Sequence, residues 1–295
     1  MVDYSLYERV ETVKLAVNIL FAAVLTGLPS AICAEPWALT IGNNITLNQS
    51  GYSDNWAGKE RGNLSWTFMS NSTAKKILSP KVANNNTIKL YFGQTSTQNK
   101  NTNKWGSPEK STDLIDLESV FRFTLGKFVD PFASARVETY FSDLRNSEKT
   151  LYVNPLTFTE SFGIARALIK EEHREWTARL GLGVRERIDR NIIDPVTFAR
   201  STDTAVDSGL EFVNDFKSPL ANNRLTVASK LIIFQSFANS KADDLKGQPG
   251  ADYWKAPDVN WENIFTANIT KYIIVNFYTQ LLYDKEISRG GRFKQ

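Results

Sequence analysis

One histidine and one cysteine bound the chemistry of this 295-residue chain. A hydrolase built on serine needs a base to take the hydroxyl proton, and His173 is the sole imidazole. It lies in Lys170-Glu-Glu-His-Arg174, a short gap between two amphipathic runs, and reads as a solvated turn residue. No H-x-x-x-H pair and no Cys/His cluster occurs, so no transition-metal site is expected. Asp243, Asp244 and Asp252 have the oxygen chemistry that Ca²⁺ takes; they read instead as a solvated acidic loop. Asp116 and Glu118 have the pairing for acid–base work, but arginines share their strand face, and pairing with those is expected. The expectation is no catalytic residue, no cofactor and no enzyme.

The charges that fall inside amphipathic runs form a set of their own. Arg122, Arg136, Glu138, Arg179, Arg185, Asp207 and Glu211 all occupy the polar parity of their segments. Successive strand side chains point to opposite faces, so these seven belong to one side of a sheet. Two uses follow: a polar pathway or binding cavity, or a plug of ion pairs that fills the interior. The mixed signs favour the plug.

The runs that carry them alternate cleanly. Trp37, Leu39, Ile41, Ile45 and Leu47 share one parity, with Thr40, Gly42, Asn44, Thr46 and Asn48 on the other. Leu64, Trp66 and Phe68 repeat the pattern, as do Ile115, Leu117, Phe121 and Phe123 against Asp116, Glu118 and Arg122. So do Trp176, Ala178, Leu180, Leu182 and Val184 against Thr177, Arg179 and Arg185, and Ile273, Val275, Phe277 and Leu281 against Tyr272, Asn276, Tyr278 and Gln280. Around Leu231, Ile232 and Ile233 both parities are apolar, and the strand 88–92 looks short. About eleven strands are expected through 283.

Their connections sort by length. Long polar gaps near 49–62, 95–112, 142–155, 187–204 and 236–257 alternate with short ones near 127–131, 170–174, 217–223 and 269–271; the gap at 75–86 is intermediate. A transmembrane β-barrel sorts its loops in this way, with short periplasmic turns and long external loops. The expected fold is therefore all-β, an antiparallel up-and-down transmembrane barrel of about twelve strands. Single-chain bacterial barrels have even strand numbers, so the twelfth strand is expected to be missing after Gln295, as if the chain were truncated at its C-terminus. Trp37, Trp66, Trp176 and Trp261 near strand ends suit interfacial girdles.

Composition agrees. Hydrophobic residues make up 42% of the chain and the mean hydropathy is −0.31, too polar for a bundle of membrane helices. The net charge of +3 comes from interspersed signs, with no basic stripe for nucleic acid. Leu15–Leu28 is an apolar run after Lys14, broken by Pro29, with Ile32-Cys33-Ala34 before Glu35. That is a secretory signal, residues 1–34, with cleavage expected after Ala34. The barrel would then occupy 35–295, in the outer membrane of a Gram-negative envelope.

Short motifs add a resemblance. Asn48-Gln49 followed by Asn55-Trp56-Ala57, then Asn63-Leu64-Ser65, Lys110-Ser-Thr-Asp113, and Leu282-Tyr283-Asp284 before Phe293-Lys294-Gln295, resemble an uncharacterised family of bacterial outer-membrane β-barrel proteins. Its signature is Q…NW…GG, and the glycine pair is replaced here around Gly58-Lys59-Glu60. The resemblance implies a further strand after the final Lys-Gln and brings no catalytic residues. Function is therefore expected to be that of a structural barrel or narrow passive channel, with membrane lipid as its surroundings and a small solute or protein partner unidentified. The alternatives are an outer-membrane enzyme acting on lipid or glycan, and a soluble periplasmic or secreted β-protein.

Overall fold

A computed structural model describes residues 36–294 except 53–59, 100, 127, 147–148, 172, 195, 223 and 271–273. The signal segment with Cys33, Trp56 of the motif, Tyr272, Ile273 and Gln295 lie outside the described residues.

The strands are β1 (Ala38–Ser50), β2 (Asn63–Ser79), β3 (Val82–Thr97), β4 (Glu109–Phe123), β5 (Asp130–Thr139), β6 (Ser142–Asp143), β7 (Leu151–Tyr152), β8 (Leu156–Lys170), β9 (Glu175–Ile192), β10 (Arg200–Leu220), β11 (Leu225–Asn239), β12 (Asp258–Asn268), β13 (Ile274–Tyr283) and β14 (Arg292–Lys294). All but β6 and β7 join one sheet of twelve strands in up-and-down order, each antiparallel to its chain neighbour. β6 and β7 form a separate two-stranded ladder within the connection from β5 to β8. The twelfth member of the sheet is β14, which meets β13 at Leu282↔Arg292, Leu281↔Phe293 and Gln280↔Lys294. No ladder joins β1 to β14 among the described residues.

The intermediate gap at 75–86 turns out to be strand. β2 and β3 run through it, with Asn85 opposite Lys75 and Asn84 opposite Lys76, and only Pro80 and Lys81 make the turn. Asn84 and Asn86 disguised the strand because they are polar, yet they bond sideways: Asn84 Nδ2 donates to Ser119 Oγ and Val120 O of β4, and Asn86 Nδ2 to Ala74 O of β2. With that correction the short connections all fall at one end of the sheet and the longer ones at the other.

Register puts every polar parity on the same face. Arg136 faces Glu118 on one side and Thr159 on the other; Thr159 faces Arg185, and Arg185 faces Asp207. The sheet is rolled with this face inward, because side chains of strands far apart in the order touch: Lys89 of β3 pairs with Glu262 of β12, and Arg179 of β9 with Glu118 of β4. The burial is inverted relative to a water-soluble fold. Asp116 and Glu211 are 4% and 8% exposed, whereas Ile45, Leu47 and Leu180 on the convex face are 76%, 65% and 48% exposed.

Facing glycines let β8 and β9 approach. A Cβ on Gly163 would lie 2.2 Å from Leu180 O and 2.4 Å from the Gly181 Cα, whereas one on Gly51 would meet nothing within 4 Å. Gly163→Ala is therefore expected to destabilise the sheet by about 1–3 kcal/mol through overpacking against backbone, with Gly51→Ala near neutral. Urea midpoints of the refolded variants check this; equal midpoints would contradict the close approach.

Candidate functional site

The inward charges assemble into neighbouring clusters of ion pairs and hydrogen bonds. Arg136 makes a two-pronged contact with Asp116, at 2.8 Å from Nε to Oδ1 and 3.0 Å from Nη2 to Oδ2, and its Nη2 also lies 3.0 Å from Glu138 Oε1. Paired guanidinium–carboxylate hydrogen bonds of this geometry are among the stronger polar contacts. Glu118 accepts from two cations, Arg179 and Lys230, each at 2.5 Å. Lys89 pairs with Glu262, and Tyr91 OH donates to Asn71 Oδ1 at 2.6 Å. Arg185 pairs with Asp258 and lies 3.7 Å from Asp207, whose Oδ1 accepts from Asn239 Nδ2. Glu211 accepts from Ser161 Oγ, which is itself bonded to Ser134 Oγ at 2.7 Å. Arg122 stands apart from these, 3.8 Å from Asp130 near the short-turn end.

All seven singled-out residues thus lie on the concave face, and six of them fall within these clusters. Asp116 and Glu118 are held by arginines. Lys89, Lys230, Glu262 and Asp258 were missed. Lys89 sat in a run read as short, and Lys230 in one read as apolar on both parities. The signal for Lys89 was nevertheless present, since Ile88 and Leu90 flank it in alternation.

The doubly apolar run has a physical reason. In β11 the inward residues are Lys230, Ile232, Phe234 and Ser236, so two apolar side chains join the charges. The Phe234 ring lies 4.3 Å beneath the Arg185 guanidinium, a cation–π contact. Phe234 also abuts Gly183 and Gly209, where a Cβ would come within 3.0 Å and 2.9 Å of the ring.

Among these clusters, toward the end where the long connections gather, a cavity of about 170 Å³ opens. Glu138, Arg136, Arg185, Glu211, Phe234, Asp258, Asp284 and Arg292 are among its lining residues. The segment 284–291 stands at its mouth. There Glu286 has its carboxyl pushed up to about 7, by partial burial and by the carboxylates of Asp207, Asp284 and Asp258, with Arg185 opposing. Beside the cavity, the connection from β5 to β8 is pinned. Asn154 Nδ2 donates to Asp143 Oδ2 at 2.6 Å and to Arg190 O, and Arg145 bridges Asp143 and Asp189. Burial alone would raise the Asp143 carboxyl, but hydrogen bonds from Arg145 and Asn154 hold it below the usual carboxylate range.

His173 sits in the turn 171–174 at the opposite end from the cavity. Asp243 and Asp252 pair with Lys246 and Lys255. Among the described residues no group of three or more His, Cys, Asp or Glu is arranged to hold a metal ion.

Residues 47–143 match a family described as a protein of unknown function, DUF3078. The match covers β2 to β5, and with them Asp116, Glu118, Arg122, Arg136 and Glu138. No curated protein matches the chain.

Two expectations follow from this site. Glu118→Ala strands two buried cations, and breaking a buried pair in this way costs about 3–5 kcal/mol. Glu175→Ala at the exposed Lys75–Glu175 pair should cost less than about 1 kcal/mol. Chemical unfolding of both variants checks the contrast. The second concerns pH. Glu286 binds its proton more tightly folded than unfolded, so its contribution is complete below the ordinary carboxylate value and is lost as pH rises through about 7. Hydrogen exchange in 284–291 should therefore quicken between pH 5 and pH 8 beyond the intrinsic base-catalysed rate, and Glu286→Gln should abolish that excess.

Proposed function

We propose that this chain is an outer-membrane β-barrel whose interior is closed by ion pairs, a structural barrel rather than an open pore. One observation carries the reading: the charged face of the sheet is inside and buried, and the apolar face is outside and exposed. Contiguous exposed apolar surface of this extent suits lipid, and the alternating pattern suits a barrel wall. Sheet strands of ten residues and more, β14 excepted, meet the length of about 9–11 that a membrane crossing needs. The apolar run Leu15–Leu28 supports export, and the sorted connections favour the long ones outside the cell.

The closed interior is what separates this from a passive channel. Glu118, Arg179 and Lys230 meet across the middle, and Lys89 reaches Glu262. A solute on that route would have to displace buried pairs.

The face assignment is testable by paired substitutions. Leu180→Arg places a charge on the outer face, at a cost of about 2–4 kcal/mol near the membrane midplane. Thr177→Arg, on the inner face of the same strand, should be much milder. Folded yield in lipid vesicles, read by heat-modifiable gel migration, distinguishes them. Equal loss in both, or none in either, would remove the basis for a lipid-facing exterior.

A further inference from the structure

One short segment covers the cavity at the long-connection end. Residues 284–291 join β13 to β14 at its mouth, and Asp284 and Arg292 are among the lining residues. Little holds that segment down. β14, which carries its far end, meets the sheet only at Arg292, Phe293 and Lys294. Its single large apolar side chain, Ile287, is 53% exposed, so no buried hydrocarbon anchors it. Two cations reach toward the 240–257 connection: Lys285 Nζ lies 4.9 Å and the Arg289 guanidinium 5.9 Å from the Tyr253 ring. Within the segment, Asp284 Oδ1 accepts from the backbone N–H groups of Glu286 and Ile287. Segments with so few apolar contacts are the ones that open locally at least cost.

The rest of the contact is electrostatic and crowded. Glu286 faces Asp207 of β10, Asp258 of β12 and Asp284 of its own segment. Arg185 of β9 opposes them, but it already pairs with Asp258 and lies 3.7 Å from Asp207. Around the same cavity β5 adds Arg136 and Glu138, 3.0 Å apart, while β10 adds Glu211 and β14 adds Arg292. Protonated, Glu286 brings no charge to this group. Ionised, it brings a fourth carboxylate to the three beside Arg185, and like charges at close range repel. From this geometry we propose that 284–291 is a strap that closes the cavity while Glu286 is protonated and lifts from its mouth when Glu286 ionises. Solutes then enter in neutral to alkaline medium and are shut out in acid. The direction follows from proton linkage. The Glu286 carboxyl is pushed up to about 7 by partial burial and by its acidic neighbours. The closed form therefore binds the proton more tightly, is fully favoured below the ordinary carboxylate value, and loses that favour as pH rises through about 7. The rolled sheet alone builds the cavity and its strap, so this inference stands apart from the membrane assignment.

Trypsin reads the strap directly, because Lys285 and Arg289 lie in it, while Lys170 and Arg174 border the turn at the opposite end. The full chain refolded in detergent is digested, and cleavage at the strap is divided by cleavage at that turn. At pH 8 the ratio is expected to be at least about fivefold lower in Glu286→Gln than in the unaltered chain. Between pH 6 and pH 8 it should rise by at least about fivefold in the unaltered chain and stay level in the variant. A thiol then reads access to the cavity. Ile232 is in its wall, and Ile232→Cys in a Cys33→Ser background is labelled with methyl methanethiosulfonate, a neutral reagent, at pH 8. Adding Glu286→Gln should slow labelling by at least about fivefold. Loss of a nearby negative charge would by itself ease thiol ionisation and quicken the reaction, so slowing reports closure. Equal strap ratios in the two chains at pH 8, a ratio in the unaltered chain that ignores pH, or labelling that is equal or faster with Glu286→Gln would each overturn the proposal. If Ile232→Cys does not refold, the tryptic ratios decide the matter.

Discussion

Glu118 accepts from Arg179 and Lys230 at once, and through that contact β4, β9 and β11 are drawn together across the interior. Little water reaches these groups, so removing Glu118 leaves two cations without the counter-charge they share. The neighbouring pairs extend the same logic outward. Asp116 and Glu138 share Arg136, and Asp207 and Asp258 share Arg185. Sharing binds several strands through one side chain, so the shape of the rolled sheet and the neutrality of its interior are maintained by the same contacts.

Charge alone does not fill the interior. Phe132 and Phe234 turn inward among the arginines, and both approach the glycines of β9, Phe132 at Gly181 and Phe234 at Gly183. Each ring also faces a guanidinium, Arg179 over Phe132 at 5.4 Å and Arg185 over Phe234 at 4.3 Å. The inward face is thus a composite of ion pairs and rings. The cavity at the long-connection end is walled by both, with Phe234 beside Arg136, Arg185, Glu138 and Asp258.

Alternation made the strands legible wherever one face was purely polar, as at Thr40 to Asn48 or Thr177 to Arg185. It failed in two places, for opposite reasons. At 75–86 the outward positions Asn84 and Asn86 are polar and bond to the neighbouring strands β4 and β2, so strand looked like loop. In β11 the inward positions Ile232 and Phe234 are apolar because they pack beside Arg185, so the inner face looked like the outer one. The seven interior charges could be read from parity. Their partners could not, because Lys89 with Glu262, or Arg185 with Asp258, depends on how tightly the sheet rolls, which no local pattern encodes. β6 and β7, two residues each, are too short to leave any periodic trace.

The Pro80-Lys81 turn joins two of the long strands of the sheet, and every ladder in the large sheet likewise connects neighbours along the chain. Contacts of that kind close short loops and cost little chain entropy. The interior pairs are the opposite: 112 residues separate Lys230 from Glu118, and 173 separate Lys89 from Glu262. The wall can therefore assemble hairpin by hairpin from local information, while its filling must wait until distant parts of the chain have met. Hydrated charges would cover the inner face until then, and water would leave it only as the last strands arrive.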